Sequence, residues 1–125
     1  MAIRRQKHTL FTSTARTATT VSSVLSAEEV LSSIFTIDVT AVTSTPSVVF
    51  SIEGKDPLSG TFYNIIDSAA ITATGTTTIQ VGINIIAAAN VAANEMLPEE
   101  YRITAAHADG DSITYSVGAV HMVEN

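Results

Sequence analysis

The chain of 125 residues is predicted to be all-β: an antiparallel β-sandwich, jelly-roll or immunoglobulin-like, with an extended N-terminal arm. Three observations predict this class. Apolar and hydroxyl side chains alternate with a period of two along several segments. The composition favours Thr, Ser, Val and Ile, of which the β-branched residues fit a pleated sheet better than a helix. Turn-forming residues recur about every 8 to 12 residues, with no helical segment of useful length between the strands.

The N-terminal segment differs from the rest of the chain in pattern and in charge. Residues 1–20 show no hydrophobic period and are predicted to form an extended basic arm, and residues 21–125 form a single sandwich domain. From residue 17 onward, two cationic residues stand against all 12 carboxylates of the chain. A basic arm before an acidic body indicates an anionic partner surface. The four cationic residues of the arm are the candidate docking residues: Arg4, Arg5, Lys7 and Arg16.

The first half of the predicted domain contains a short turn and three strands. "SAEEVL" (26–31) has a capping-box pattern, with Ser26 three residues before Glu29, and predicts a single helical turn. "SSIFTIDVTAV" (32–42) alternates as a strand with one buried face. "VVFSIEGKD" and "TFYNIID" follow as two further strands. The residues expected to point inward from the first two strands are Phe35, Ile37, Val39, Val48, Phe50 and Ile52.

The second half is predicted to contain four strands and one crossing segment. Residues 69–75 and 76–82 form two short strands that meet at Gly75. The Ala-rich stretch 83–100 is interrupted by Asn residues and closed by a proline, which predicts a crossing loop with at most one helical turn. The last two strands are "YRITAAHA" (101–108) and "SITYSVGAVHMV" (112–123), and "DGD" between them predicts a tight hairpin.

The stretch "IEGKDPLSGTFYNI" invites two interpretations. A phosphate-binding loop needs two glycines before its lysine, a hydroxyl residue after it and a helix beyond. Here Asp56 stands in the hydroxyl position, and the residues after Gly60 alternate like a strand. Asp56 and Pro57 are typical of the start of a turn, and Gly60 suits a positive φ at its exit. The sequence therefore predicts a hairpin connection and no anion site.

No other motif indicates catalysis or a metal site. The pair Asp109 and Asp111 resembles the start of a calcium loop, but Val120 stands where the bidentate glutamate would be. His107 and His121 come close together if the last two strands pair, yet no third ligand lies at a fixed spacing. The chain has no Gly-x-Ser-x-Gly elbow. We therefore expect a protein that is not an enzyme and has no cofactor and no metal.

Composition also narrows the partners. The absence of Cys excludes disulfides and thiolate metal sites. No run of about 18 apolar residues exists, and the segment after "MAIRRQKH" is too polar for a signal-peptide core, so neither a membrane span nor secretion by that route is expected. The four cations of the arm are not interleaved with aromatic residues, so nucleic acid is not expected as a partner. Only 14% of the residues are charged, which suits a surface covered by other subunits.

Several phrases together resemble a family of small virion proteins of tailed bacteriophages. They are "TARTATT", "DVTAVTSTPSVVFSIEGKDPLSGTFYNI", "AAITATGTTTIQV", "AAANVAANEMLP" and "YRITAAHADGDSITYSVGA", spread over residues 14–119. The resemblance implies a β-sandwich that coats the capsid as a decoration, or cement, protein. The chain departs from the family where an Arg-rich strand is usual, because "EEYRITAAH" contains only Arg102. That departure weakens the transfer of a charged contact face, and "MAIRRQKH" has no counterpart in the family pattern.

The expected function is therefore that of a structural virion protein bound to the outer capsid surface. Its expected partners are the major capsid protein and further copies of itself, as a dimer or trimer on the particle, after assembly in the cytoplasm of the bacterial host. One alternative is a tail or neck subunit that forms a ring. Another is a host-glycan-binding adhesion module, for which Tyr63 and Tyr101 are the candidate exposed aromatic residues.

Overall fold

The computed structural model describes residues 2–124 and shows an all-β protein. Met1 and Asn125, the outer ends of the predicted arm and domain, lie outside the described residues. Two five-stranded sheets are packed as a sandwich, and no helix occurs between residues 2 and 124. The strands are β1 (Ile3–Arg16), β2 (Thr20–Val21), β3 (Leu25–Ser26), β4 (Val30–Val42), β5 (Val48–Lys55), β6 (Phe62–Asp67), β7 (Gly75–Gly82), β8 (Ala92–Asn94), β9 (Glu100–His107) and β10 (Ile113–Glu124).

The strands divide between two sheets that are almost entirely antiparallel. Sheet A has the order β1-β10-β4-β7-β8, and only its short β7–β8 pair is parallel. Sheet B has the order β2-β9-β5-β6, and β3 also pairs with β9. The chain crosses between sheets repeatedly, so neighbouring strands in sheet A are far apart in sequence. Ile3 at the start of β1, for example, pairs with Glu124 at the end of β10.

The core lies between the two sheets and follows the predicted alternation. Along β10, the side chains at every second position from Ile113 to Val123 are buried, and the residues between them face outward. The same alternation buries one face of β5 and of β9. The expected inward residues of β4 and β5 are all buried, which confirms the period-two interpretation of these strands: Phe35, Ile37, Val39, Val48, Phe50 and Ile52.

The prediction of an extended N-terminal arm is wrong. Ile3–Arg16 form β1, which pairs with β10 over the whole of its length, and Leu10 and Phe11 are buried in the core. The period of two is hidden because the register shifts twice, between Thr9 and Phe11 and between Phe11 and Thr14. Each such bulge changes which face the following side chains occupy, so a regular strand is not visible in the sequence.

The helical turn predicted in 26–31 is wrong, and the crossing segment 83–100 contains no helical turn. In 26–31, Glu28 N–H lies 3.5 Å from the Ser26 hydroxyl, but Glu29 has a φ of 63°, so the chain turns without starting a helix. In 83–100 the chain makes turns around β8, and Asn84 and Asn90 have positive φ values. Asn tolerates the left-handed region better than most residues, and such residues stop a helix. Residues 69–74 form a loop with one isolated bridge at Ile71, where a strand over 69–75 was predicted, and Gly75 begins β7.

The hairpin predicted between β5 and β6 is confirmed. Asp56 N–H donates to Thr61 O at 2.8 Å, and Gly60, with a φ of 76°, donates to Asp56 O at 2.8 Å. The Asp56 carboxylate accepts from Leu58 N–H at 3.0 Å and from the Ser59 hydroxyl at 2.6 Å. The hydrogen bond from the Ser59 hydroxyl has the largest effect, followed by the one from Leu58 N–H, and together they hold the pKa of Asp56 below its usual value. Lys55 of "GKD" therefore ends β5, next to a turn that is closed by the side chains of Asp56 and Ser59.

The hairpin predicted at "DGD" is wrong, because β9 belongs to sheet B and β10 to sheet A. Residues 108–112 cross from one sheet to the other. Asp111 N–H bonds the Asp109 carboxylate at 3.0 Å, and the Asp111 carboxylate accepts from Thr45 N–H at 3.1 Å. The two aspartates thus hold loop backbone in place, and the described residues contain no group of three side chains that could hold a metal ion.

Candidate functional site

The first half of β1 presents unpaired positive charge at the edge of sheet A. Arg4, Arg5 and Lys7, called here the cationic strip, are all exposed. The ion pairs found within residues 2–124 are Lys55–Glu100 at 3.8 Å and Arg102–Glu53 at 2.8 Å, so no residue of the strip has an anionic partner there. Since β1 pairs only with β10, the backbone along its other side is also free of a neighbouring strand.

An apolar patch lies beside the cationic strip on the outer face of sheet A. Val120, Met122 and Ile34 are 40%, 37% and 41% exposed, and they are called here the outer-face patch. The strand register sets their order: Lys7 pairs with Val120 and Val120 with Ile34, while Arg5 pairs with Met122. Positive charge and apolar surface therefore run side by side across three adjacent strands.

The geometry of this surface suits a macromolecule better than a small ligand. The depression between Arg5, Val120 and Met122 has a volume of about 190 Å³ and is open to solvent. Small-molecule sites are typically enclosed and of roughly 300–1,000 Å³. An apolar centre with cations at its edge matches the anatomy of protein interfaces, in which apolar contact contributes affinity and charge contributes orientation and association rate.

The outer-face patch was missed in the sequence because strand alternation was used only to find the core. Val120 and Met122 flank His121, and the same alternation that buries His121 places both of them outward. Ile34 is outward for the same reason, one position before the buried Phe35. The outer-face patch could have been found from an outward Val, Ile or Met on a strand whose other outward residues are mostly hydroxyl residues.

Arg16, the fourth candidate docking residue, is used inside the fold. Its guanidinium donates to Tyr115 O at 2.9 Å and to Thr12 O at 2.8 Å. The guanidinium carbon also lies 4.6 Å from the centroid of the Tyr115 ring and 5.1 Å from that of Phe11. The structure thus brings Arg4, Arg5 and Lys7 together at one end of β1 and places Arg16 at the other end.

We expect Arg16→Gln to lower the free energy of unfolding by about 1–2 kcal/mol, since it removes charge-assisted hydrogen bonds and two cation–π contacts. Urea unfolding followed by circular dichroism measures this loss. Because Arg16 is separate from the cationic strip, its replacement should leave partner binding unchanged at temperatures where the protein stays folded. A variant as stable as the wild type would contradict the structural role.

The predicted closeness of His107 and His121 is wrong, because their strands lie in different sheets. His107 Nε2 lies 3.0 Å from the Tyr115 hydroxyl, and burial lowers the pKa of His107. His121 Nε2 lies 2.6 Å from the Tyr101 hydroxyl. Each histidine therefore joins its own strand to the opposite sheet through a tyrosine.

Of the two aromatic residues predicted to be exposed, one is exposed and one is buried. Tyr63 is 48% exposed and lies in a groove of about 260 Å³ with Met96 and Pro98. Tyr101 is completely buried, so that part of the prediction is wrong. The residue two positions after it, Ile103, is buried on the same face of β9. One exposed tyrosine thus remains as a candidate for stacking on a ligand ring.

Among the described residues, no helix has the length and apolar character needed to cross a membrane.

No protein-family model matches this chain, and the searches of curated proteins and of solved structures find no match either. What the protein does is therefore inferred from its residues and their geometry.

Proposed function

We propose that this protein is a structural virion protein of a tailed bacteriophage that binds the outer capsid surface as a decoration, or cement, protein. The observation that carries the proposal is the row formed by Lys7, Val120 and Ile34, which joins unpaired charge to exposed apolar surface. The resemblance of the chain's phrases to phage virion proteins supports the same assignment. The proposal includes no catalytic activity, cofactor or metal.

The proposed partner is the major capsid protein, through an acidic and partly apolar region that repeats over the head. The outer-face patch would contribute apolar contact, and the cationic strip would orient each copy on the lattice. A partner that binds only the assembled head stabilises that state by mass action. Because a single small contact is weak, self-association of the protein as a dimer or trimer on the particle would raise the overall affinity through avidity.

The β-sandwich architecture is compatible with this role. Two packed sheets give a rigid platform, and the cationic strip lies on a strand that is paired with β10. Within residues 2–124, binding would therefore not need to order a free arm. The same proposal includes three further points: a jelly-roll or immunoglobulin-like type of sandwich, a location on the virion, and assembly in the host cytoplasm.

Replacing the outward cations of the strip tests the docking surface. We expect R5A/K7A to bind undecorated heads about 10–100-fold more weakly than the wild type, with a weaker dependence on salt, because two charges at the interface are lost. Co-sedimentation with heads over a series of protein concentrations gives the affinity. Deleting β1 is not a suitable test, since Leu10 and Phe11 belong to the core.

The matched control is T72E/T74E, which lowers the net charge by the same amount. Thr72 and Thr74 are exposed and precede Gly75, which pairs with Val39 at the other end of β4 from Ile34. This variant should bind heads like the wild type. If R5A/K7A and T72E/T74E both bind normally, the docking surface is assigned wrongly. If both bind weakly, net charge and not this surface controls binding.

One observation favours a second candidate function. Tyr63 lies in a groove whose rim carries Glu99, Glu100 and Lys55. An exposed aromatic ring can stack on a sugar ring, and the neighbouring carboxylates can accept hydrogen bonds from the sugar hydroxyls. This arrangement would suit a host-glycan-binding module. Binding on a glycan array that Tyr63→Ala abolishes would favour this candidate. A stable hexamer or dodecamer in solution would instead favour the tail or neck ring.

A further inference from the structure

Two histidines meet on the inner side of the first half of β1. The ring centroids of His8 and His121 are 4.4 Å apart and their planes are tilted by 38°. His121 is completely buried, and its Nε2 lies 2.6 Å from the hydroxyl of Tyr101 on the opposite sheet. Because side chains alternate along a strand, His8 faces inward directly behind Lys7, which faces outward. The imidazole pair thus lies on the opposite side of β1 from Arg5 and Lys7, the outward residues of the cationic strip.

The surroundings of His121 favour its neutral form. Burial raises the pKa of Tyr101, so its hydroxyl stays protonated and shares a hydrogen bond with Nε2 of His121. The other ring nitrogen of His121 is Nδ1. This atom, His8 Nε2 and Ser33 Oγ are buried and make no hydrogen bond within the described residues. A protonated His121 would have two N–H donors and no acceptor for the second one.

Within residues 2–124, no carboxylate contributes to the pKa shift of His121. From β1 the facing titratable residue is His8, from β9 it is Tyr101, and from β4 the residue opposite His121 is Ser33, which does not titrate. Arg4 lies on the same side of β1 as His8 and adds positive charge. Neither imidazole forms an ion pair with a carboxylate in residues 2–124. Burial, and then the charge of His8, lowers the pKa of His121 to about 4.

The strand that covers the pair is held unevenly. Before its first bulge, β1 has mostly exposed or half-buried side chains. After Thr9 come the buried Leu10 and Phe11, and Arg16 fixes the far end. The bulge between Thr9 and Phe11 interrupts the ladder to β10. The segment 3–8 can therefore detach at this bulge while the rest of β1 stays in the core.

We propose that the His8–His121 contact makes docking acid-sensitive: in mildly acidic solution residues 3–8 leave β10, and the cationic strip loses its fixed position beside the outer-face patch. Detachment exposes the imidazole of His121 to water, where it accepts a proton freely. The statement about detachment stands on the geometry of the free protein, and the statement about docking rests on the proposed function.

The direction of the pH effect follows from proton linkage. The pKa of His121 is lowered in the closed state and returns towards 6.5 when the segment opens, so the open state binds more protons between these values. The closed state is therefore fully favoured above pH 6.5 and loses its advantage as pH falls towards about 4. Opening should become up to about tenfold more favourable for each pH unit in this range.

Hydrogen exchange of the backbone amides tests the detachment in the isolated protein. Between pH 7 and pH 5, protection factors corrected for the intrinsic exchange rate should fall by more than about tenfold for residues 4–8. Those of residues 12–16, beyond the bulge, should stay unchanged. In His121→Phe, which keeps a ring against Tyr101 but cannot be protonated, residues 4–8 should show no such fall. His107→Phe is the matched control and should retain the wild-type pH dependence.

Three results would overturn the inference: no fall in the wild type, the same fall in His121→Phe, or an equal fall along all of β1. If His121→Phe does not fold, His121→Gln serves in its place. A ring titration of the wild type by NMR is a second measurement, and a His121 that titrates near 6.5 would also overturn the inference.

Head binding separates this inference from the proposed function. If detachment occurs at pH 5 and the wild type then leaves the heads while His121→Phe stays bound, both are supported. If detachment occurs but R5A/K7A binds heads normally at pH 7, the docking assignment fails and the acid-sensitive contact stands. If the heads are bound equally at both pH values although residues 3–8 detach, docking does not depend on the position of the strip.

Discussion

Replacing Tyr115 by alanine is expected to lower the free energy of unfolding by about 3–5 kcal/mol, among the largest effects of any single substitution in this chain. Tyr115 is completely buried in the middle of β10. Its ring meets Phe50 edge-on at 4.9 Å and Phe11 edge-on at 5.8 Å. Phe50 belongs to sheet B and Phe11 to β1, so the Tyr115 ring connects β10 both to sheet B and to the edge strand of sheet A. Alanine would leave a cavity where these contacts meet.

Tyr115→Phe is the matched control for this prediction. It keeps the ring and both edge-on contacts but loses the hydroxyl that lies 3.0 Å from His107 Nε2. We expect a loss of about 1 kcal/mol, the usual worth of one hydrogen bond. Urea unfolding followed by circular dichroism measures both variants. Equal losses for alanine and phenylalanine would show that the hydroxyl, and not the packing of the ring, is what matters.

Gly82→Ala is expected to lower the free energy of unfolding by about 2–3 kcal/mol, because the added methyl group has no room. A Cβ at this position would lie 2.5 Å from Cβ and 3.0 Å from Cα of Ser32, and 3.2 Å from the carbonyl oxygen of Leu31. Gly82 and Ser32 are paired residues of β7 and β4. Backbone atoms cannot turn aside as a side-chain end can, so the two strands would have to separate.

Two other glycines provide graded controls in the same unfolding experiment. A Cβ at Gly54 would meet only the ends of the Pro98 and Tyr63 side chains, at 2.6 and 2.7 Å, so a smaller loss is expected. A Cβ at Gly110 would meet nothing within 4 Å, and the change should stay within about 0.5 kcal/mol. The expected order of losses is Gly82, then Gly54, then Gly110. A Gly82 variant as stable as the Gly110 variant would contradict the close strand pairing.

The regular strands were predictable from the sequence, and the irregular ones were not. The inner faces of β4 and β5 alternate regularly, so their buried residues could be listed in advance, whereas Tyr101 of β9 was expected to be exposed. β1 has two register shifts that cancel its period. Strand pairing was least predictable, because it depends on contacts across the whole chain. "DGD" has the composition of a hairpin turn, yet it joins strands of different sheets.

The candidate site was predictable only in part, for the same reason. Charge counting identified Arg4, Arg5 and Lys7, because unpaired cations stand out in an acidic chain. It also included Arg16, whose three backbone acceptors and two ring contacts depend on tertiary structure. The outer-face patch comes from β10 and β4, which are distant in sequence. Its position next to the strip follows from strand register, which no local pattern specifies.

The pairing of Ile3 with Glu124 has a consequence for synthesis of the protein. β1 is separated from its hydrogen-bonding partner β10 by the whole sequence between Arg16 and Ile113, so during translation Leu10 and Phe11 stay without that partner until Ile113–Glu124 has been made. Sheet B also waits for a late strand, because β9 (Glu100–His107) lies between β2 and β5 in that sheet. A nascent chain therefore carries an apolar, unpaired β1 until translation reaches β10, and that interval is when it most needs protection from aggregation.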